Sequence, residues 1–338
     1  MARDYGRRAK KNLLRKLLAL VAVLTGVCLV MVVLLNQLEE ESAPVYGDLD
    51  ARFESETVSW NGRQYIRKPD LSTFLLIGVD QMDSRRAYNG QYRSGGQSDF
   101  LLLVVIDPQQ KKINRIHIDR DTMADVTVLG VLGDNLGTSR MQICLAHGFG
   151  DGEHQSNQFT VDAVSRLLSG IDIDGYYAMN MSGISRLNDL LGGVTVLVED
   201  DFSAYDASMT PGTVVRLHGE QTELFVRSRM PIGDEKNSSR MKRQQQFMKN
   251  ATALVVERMD EDKAFFGELL DGITPYTVSN IARGRLINEA NRAAKYTVGE
   301  ILTPEGVHAD GEDGFVEFHA DEAALMQLAL DVFYEPAQ

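Results

Sequence analysis

Two uninterrupted apolar runs, residues 73–79 (TFLLIGV) and 100–106 (FLLLVVI), restrict this chain more than any other feature. Runs of that length, with Thr73 their sole polar side chain, belong to strands of a sheet covered on both faces. A third run, 112–118 (KINRIHI), alternates apolar and polar residues and reads as their neighbour, with His117 pointing away from the core. Helices to cover the sheet are also written in the sequence. Residues 158–168 place Phe159, Val161, Val164, Leu167 and Leu168 near helical spacing before Gly170, and 182–191 repeat the pattern before Gly192 and Gly193. A further strand is expected at 194–198, helices at 219–229 and 238–259, then two or three shorter helices, a strand at 315–318 and a closing helix at 321–333. Strands and helices alternate, so the class is α/β, an α/β/α sandwich.

The first 16 residues carry seven basic side chains and one acid, and residues 17–35 contain nothing more polar than Thr25. That run is long enough to cross a bilayer once. It exceeds the usual apolar region of a signal peptide, and no small-residue cleavage site follows it, so it reads as an uncleaved transmembrane helix. Basic residues ahead of it put the N-terminus in the cytoplasm and the main domain outside the cell membrane. The expected organisation is a basic arm (1–16), the span (17–35), a stalk with an edge hairpin around 57–65 (36–70), and one extracytoplasmic domain (71–338). The formal charge is −13, and because the arm is net +6 the remainder carries −19, which excludes non-specific nucleic-acid binding. Of the two cysteines, Cys28 lies in the span, so no disulfide can form within the outer domain. An exported chain without disulfides points to a bacterial cell surface.

Against this acidic background, residues 227–244 (RSRMPIGDEKNSSRMKRQ) concentrate cations. Arg227 and Arg229 end one apolar segment; Arg240 and Arg243, three apart, share a helix face. Guanidinium forks suit phosphate oxygens better than lysine does, although a solvated face with local acidic partners is the competing reading. Asp80 follows the first apolar strand and Asp99 precedes the second. Antiparallel neighbours would bring those two carboxylates together, where they either cap turns or share a hard cation such as magnesium. The loop between them carries Arg85, Arg86 and Arg93 among glycines. Arg120 sits between Asp119 and Asp121 just past the third strand, either salt-bridged in place or held for an anion. Serine-hydrolase elbows, phosphate-binding P-loops and HExxH helices are absent, and the six histidines lack ligand spacing. His147 is a minor candidate for lining a site, and Cys144 reads as a buried small side chain.

These residues, in this order, resemble the LytR-CpsA-Psr family of membrane-anchored glycopolymer transferases, over about 73–259. FLLIGVD ending at Asp80 and SDFLLLVVID beginning at Asp99 are similar to the family's first two strands and their metal-binding aspartates. IDRDT is similar to its arginine-aspartate-threonine motif, LHGEQTELFVRSR brings Arg227 and Arg229, and SRMKRQ brings Arg240, Arg243 and Gln244. Departures fall at Met82 and Gln97, where the family usually has arginine, at Arg140-Met141-Gln142, and at Asn237, where an acid is common. The resemblance implies a central mixed sheet; residues 260–338, beyond the matching stretch, read as completing the fold. It also implies transfer of a phosphoglycan from a polyprenyl-pyrophosphate-linked glycan to a peptidoglycan hydroxyl at the membrane lipid bilayer. In that scheme Asp80 and Asp99 hold Mg2+, and Arg85, Arg120, Arg227, Arg229, Arg240, Arg243 and Gln244 meet the pyrophosphate. No sequence feature identifies a general base; Asp121, a carboxylate beside catalytic Arg120, either takes the acceptor's proton or serves as a structural partner of Arg120. Rival readings are a pyrophosphatase, or a protein that binds the carrier without transfer. Met241, Phe247, Met248 and Leu254 could line a pocket for the lipid tail, but ordinary core is the plainer reading.

Overall fold

In the computed structural model, strands built from the three runs lie side by side in one sheet. The structure describes residues 57–80, 96–130, 133–228, 232, 237–312 and 314–337. The basic arm, the apolar run at 17–35, Met82, Arg85, Arg86, Arg93 and Arg229 lie outside the described residues. Among the described residues no helix is long and apolar enough to cross a membrane.

A hairpin of β1 (Thr57–Trp60) and β2 (Arg63–Arg67) leads into β3 (Ser72–Val79), β4 (Ser98–Asp107) and β5 (Lys112–Ile118). A second hairpin, β6 (Met123–Leu129) with β7 (Asn135–Gln142), precedes a 3-10 turn at Ile143–Phe149 and helix α1 (His154–Leu167). Then come β8 (Gly175–Asn180), α2 (Met181–Leu190), and β9 (Thr195–Leu197) paired with β10 (Val214–Arg216). Helices α3 (Glu220–Arg227), α4 (Asn237–Glu261) and α5 (Phe265–Ile273) follow. The chain continues through β11 (Thr277–Ser279), α6 (Arg283–Ala293) and β12 (Thr297–Leu302). It closes with β13 (Gly306–Asp310), β14 (Val316–Ala320), α7 (Glu322–Phe333) and β15 (Tyr334–Pro336). Predicted helices therefore stand within a few residues of the observed ones, and Asp321 caps α7 by accepting from the Ala324 N–H.

Six strands form the central sheet in the order β11-β8-β3-β4-β5-β12. The sheet is mixed: β3 is antiparallel to β4 and parallel to β8, while β5 is antiparallel to β4 and parallel to β12. Register aligns Leu75 with Leu103 and Tyr176, and Leu103 with Ile116, so one face presents a continuous apolar layer. Val161, Val164 and Leu168 of the α1 segment pack there with Leu330 and Phe333 of α7. On the opposite face Phe74 and Ile106 meet Ala293 and Leu286 of α6. Alternation along each strand delivers both faces, which is why the runs are apolar on both sides. A separate core gathers Val194, Val196, Phe202, Phe225, Phe247 and Ala251, binding α3 and α4 to the β9–β10 pair. Phe247, Met248 and Leu254 are thus core.

The expected outward direction of His117 is corrected by the structure. The residue does leave the first apolar face, but α4 covers the second, and His117 is 1% exposed beside Gln245 and the Phe100 ring. Gly78 makes room for that ring, since a Cβ there would stand 2.9 Å from the Phe100 Cβ. Burial, which disfavours the charged imidazole, drives the His117 pKa from 6.5 down to about 4. Between those values the unfolded chain binds a proton that the folded protein does not. Stability is therefore complete above pH 6.5 and falls as the pH drops toward 4. Replacing His117 with Gln should flatten the pH dependence of the urea midpoint across that window. An unchanged slope would show that the folded protein carries the ring protonated.

Candidate functional site

The site begins at the ends of β3 and β4. Past β3 the Asp80 N–H donates to the Gln97 carbonyl (2.9 Å), so the pairing persists to the strand ends and sets Asp80 and Asp99 at one edge of the sheet. Because β4 and β5 are antiparallel, with Leu101 opposite Ile118, the turn after β5 carries Arg120 back to Asp99. That turn is self-tied: Thr122 Oγ1 donates to the Asp119 carbonyl (2.6 Å) and the Asp121 N–H to Asp119 Oδ1 (2.9 Å). Arg120 donates to Asp99 Oδ1 and to Gln97 Oε1 (2.6 Å), and its Nε lies 3.2 Å from Asp121. Asp99 Oδ2 accepts from Arg240 Nη1 (3.3 Å), in the first turn of α4. Arg227, at the C-terminal end of α3, forks between Asp80 (3.0 Å) and Glu223 (2.5 Å), one helical turn earlier.

These side chains line one cleft of about 1140 Å³. Arg120, Arg227 and Arg240 supply its positive charge and Asp80, Asp99, Asp121, Glu220 and Glu223 its negative charge. The carboxylates hold the guanidinium forks at fixed angles, which is how an anion site is organised before its ligand arrives. Burial lowers the Arg120 pKa, but Cys144, Asp99 and Asp121 outweigh it and leave the value raised. Cys144 is buried 3.3 Å from Arg120, and burial pushes its thiol up to about 12, so it stays protonated and inert.

Asp80, Asp99, Arg120, Asp121, Arg227 and Arg240 thus meet in the cleft, and Arg85 and Arg229 lie outside the described residues. Arg243 and Gln244, expected to meet the pyrophosphate, are not among the residues that line the cleft. Arg243 donates to the carbonyls of Phe225 (2.8 Å) and Ser228 and to Asp200, and stacks over the Phe202 ring. Gln244 donates to the Val226 carbonyl (3.2 Å). Both fasten α4 to the carbonyls at the end of α3, where unsatisfied acceptors collect, and so position Arg227. The helix-face argument finds Arg240 and Arg243 on the same buried stripe, but the stripe passes from the cleft at its first turn to α3 at its second. His147 is buried in the 3-10 turn and does not line the cleft.

Several contributors were missed by sequence reasoning. Gly314, Phe315 and Val316, from the segment read as merely completing the fold, form one wall, pinned where Gln142 Nε2 donates to the Val316 carbonyl (3.2 Å). Glu223 had a signal, its four-residue spacing from Arg227. Phe315 had none, since nothing local links it to residues so distant in the chain.

Asp80 and Asp99, the carboxylates expected to share a cation, both line the cleft and are engaged by arginines. Among the described residues no three His, Cys, Asp or Glu side chains gather into a metal-holding group. A hard divalent ion such as Mg2+ fits two carboxylates when substrate and water oxygens supply the rest. The arginine contacts do not bar it, because each carboxylate oxygen has two lone pairs.

Arg240 is 3% exposed and faces the cleft, whereas Lys242 is exposed on the other side of α4. Arg240→Ala should therefore weaken farnesyl pyrophosphate binding, measured by calorimetry, by about tenfold or more, as the loss of a charge-assisted hydrogen bond predicts. Lys242→Ala should change it less than about twofold; equal losses would show that simple charge, not the helix face, governs binding.

The sequence profile of the LytR_cpsA_psr family matches residues 32–329. One relative is the polyisoprenyl-teichoic acid–peptidoglycan teichoic acid transferase TagU of Halalkalibacterium halodurans. It is 29% identical over 164 residues, 48% of this chain and 47% of that one, so the match spans about half of the relative's length. The transferase of the same name from Bacillus cereus is 24% identical over 294 residues, 86% of this chain and 85% of that one. The crystal structure of protein gbs0355 from Streptococcus agalactiae shares the fold, with a TM-score of 0.63 and 20% identity over 78% of this chain and 86% of that one. With its profile match running through the sheet, the cleft and the C-terminal hairpin alike, this chain belongs to the LytR_cpsA_psr family.

Proposed function

We propose that the protein transfers a phosphoglycan from a polyprenyl-pyrophosphate carrier to a hydroxyl of peptidoglycan. The observation that carries this reading is the convergence of Arg120, Arg227 and Arg240 on a cleft that also holds the strand-end carboxylates Asp80 and Asp99. A diphosphate brings several negative charges, and arginine forks are the side chains that bind its oxygens at defined angles. The name borne by the relatives, a transferase from a polyisoprenyl carrier to peptidoglycan, supports the same reading.

In this scheme the acceptor oxygen attacks the phosphorus that carries the glycan. The bond from that phosphorus to the bridging oxygen breaks, and polyprenyl phosphate leaves with the electron pair. Arg120 and Arg240 bind the oxygens as charge shifts toward the leaving group, and Arg227 trades Asp80 for a phosphate oxygen. Asp121, 5% exposed and lining the cleft, takes the proton of the acceptor hydroxyl. Mg2+, held by Asp80 and Asp99, would neutralise charge on the leaving phosphate. The apolar run at 17–35 would anchor the domain at the outer face of the membrane, where the carrier's headgroup lies.

The test is release of polyprenyl phosphate from a synthetic polyprenyl-pyrophosphate glycan by the full-length protein in detergent. Magnesium or chelator, and peptidoglycan oligomer or none, are varied beside an Asp80→Ala control. Release that requires magnesium and the oligomer, and is lost in the variant by at least about a hundredfold, is expected. Release without an acceptor would replace the transferase with a pyrophosphatase, and binding without release would leave a carrier-binding protein.

A further inference from the structure

Behind Arg240 lies a line of polar groups that none of the steps above employs, with Asn237 and Asp119 buried and His308 reaching the surface. His308, on β13, places Nε2 3.0 Å from Asp119 Oδ2. Asp119 Oδ1 accepts from Asn237 Nδ2 (2.5 Å), and Asn237 Oδ1 accepts from both Nε (2.9 Å) and Nη2 (2.5 Å) of Arg240. Arg240 Nη1 then reaches Asp99 in the cleft. Asp119, Asn237 and Arg240 are 4%, 4% and 3% exposed, so water does not compete for these bonds.

Resting on the transferase reading, we propose that Asp119 and His308 are positioning residues that aim the Arg240 fork at the diphosphate through Asn237. The argument is one of hydrogen-bond polarity. A side-chain amide can present either its oxygen or its nitrogen to a neighbour; the Arg240 guanidinium, which only donates, takes the oxygen, and a second partner of opposite polarity holds that orientation. An ionised carboxylate only accepts, so Asp119 takes the amide nitrogen and turns the amide oxygen toward the helix. That oxygen engages Nε and Nη2 of Arg240, two of the three nitrogens of the fork, and leaves Nη1 directed at Asp99. Asp119 does not line the cleft, and it acts on Arg240 through the amide.

His308 extends the line to the C-terminal hairpin. Its ring packs 4.8 Å from that of Phe318, whose N–H donates to the Asp121 carbonyl (2.8 Å). The hairpin that walls the cleft at Phe315 is therefore joined at two points to the turn that bears Arg120. Seating of the hairpin and orientation of Arg240 are set by the same carboxylate.

The test is a double-mutant cycle on the full-length protein, with farnesyl pyrophosphate as the probe in calorimetry. Asp119→Ala should weaken binding about tenfold in the otherwise unaltered chain but less than about twofold when Arg240 is lysine, which cannot make the fork. His308→Ala should cost about threefold, because Asp119 keeps its other two donors. A ligand-free readout accompanies it: the Arg240 Nε–H resonance, identified by its loss in Arg240→Lys, should shift in Asp119→Ala. Equal losses in both Arg240 backgrounds would assign Asp119 to general folding and overturn the proposal, as would an unmoved resonance or full affinity in Asp119→Ala. If the unaltered protein fails to bind the probe, the transferase reading falls and the relay's task with it. If it binds and only the cycle fails, the relay alone is rejected.

Discussion

The Asp99 carboxylate, set between Arg120 and Arg240, is the contact on which the arrangement of the cleft depends. Arg120 comes from the turn after a central strand and Arg240 from the long helix on the opposite face of the sheet, so one side chain joins the two. The carboxylate and the Arg240 guanidinium are largely withdrawn from water, and removing one partner of such a pair costs about 3–5 kcal/mol because the other charge is stranded. The second apolar core brings α4 near the sheet edge, but apolar packing has no direction. The ion pairs supply the direction, and they do so with groups whose chemistry suits a phosphate ligand.

This makes the ligand-free cleft a set of internal substitutions. Arg227 rests on Asp80 and Glu223, Arg120 on Asp99 and Gln97, and Arg240 on Asp99 and Asn237. An arriving diphosphate would exchange with carboxylates already in place, so cationic side chains need not repel one another while the cleft is open. Gln97 and Asn237, which depart from the usual family pattern, do not leave gaps. Gln97 accepts from Arg120, and Asn237 accepts from Arg240 while donating to Asp119. Their neutral amides therefore do work that a charged group could do more directly.

Much of this was legible in advance. Apolar runs identified the central strands because a strand covered on both faces must be apolar at every position. Acids at strand ends pointed to one sheet edge because antiparallel pairing returns the chain to the same end. Arg240 was found by helical spacing. The same spacing groups Arg243 and Gln244 with Arg240, but it reports a shared face and not what lies opposite each turn of it, and the structure seats both against the end of α3. His117 was misread for a related reason: alternation shows that a side chain leaves one face, but not that a helix distant in sequence covers the other.

The amino-acid sequence by itself determined the α/β class, the central strands and the cationic and acidic residue types of the cleft, because periodicity and side-chain chemistry are local properties. Only the tertiary structure decided that Phe315 walls the cleft, that His308 meets Asp119 and that Arg243 bonds the carbonyls at the end of α3. Each of those outcomes joins segments far apart in the chain. Such contacts are settled by how whole elements pack, and no spacing within a single element records them.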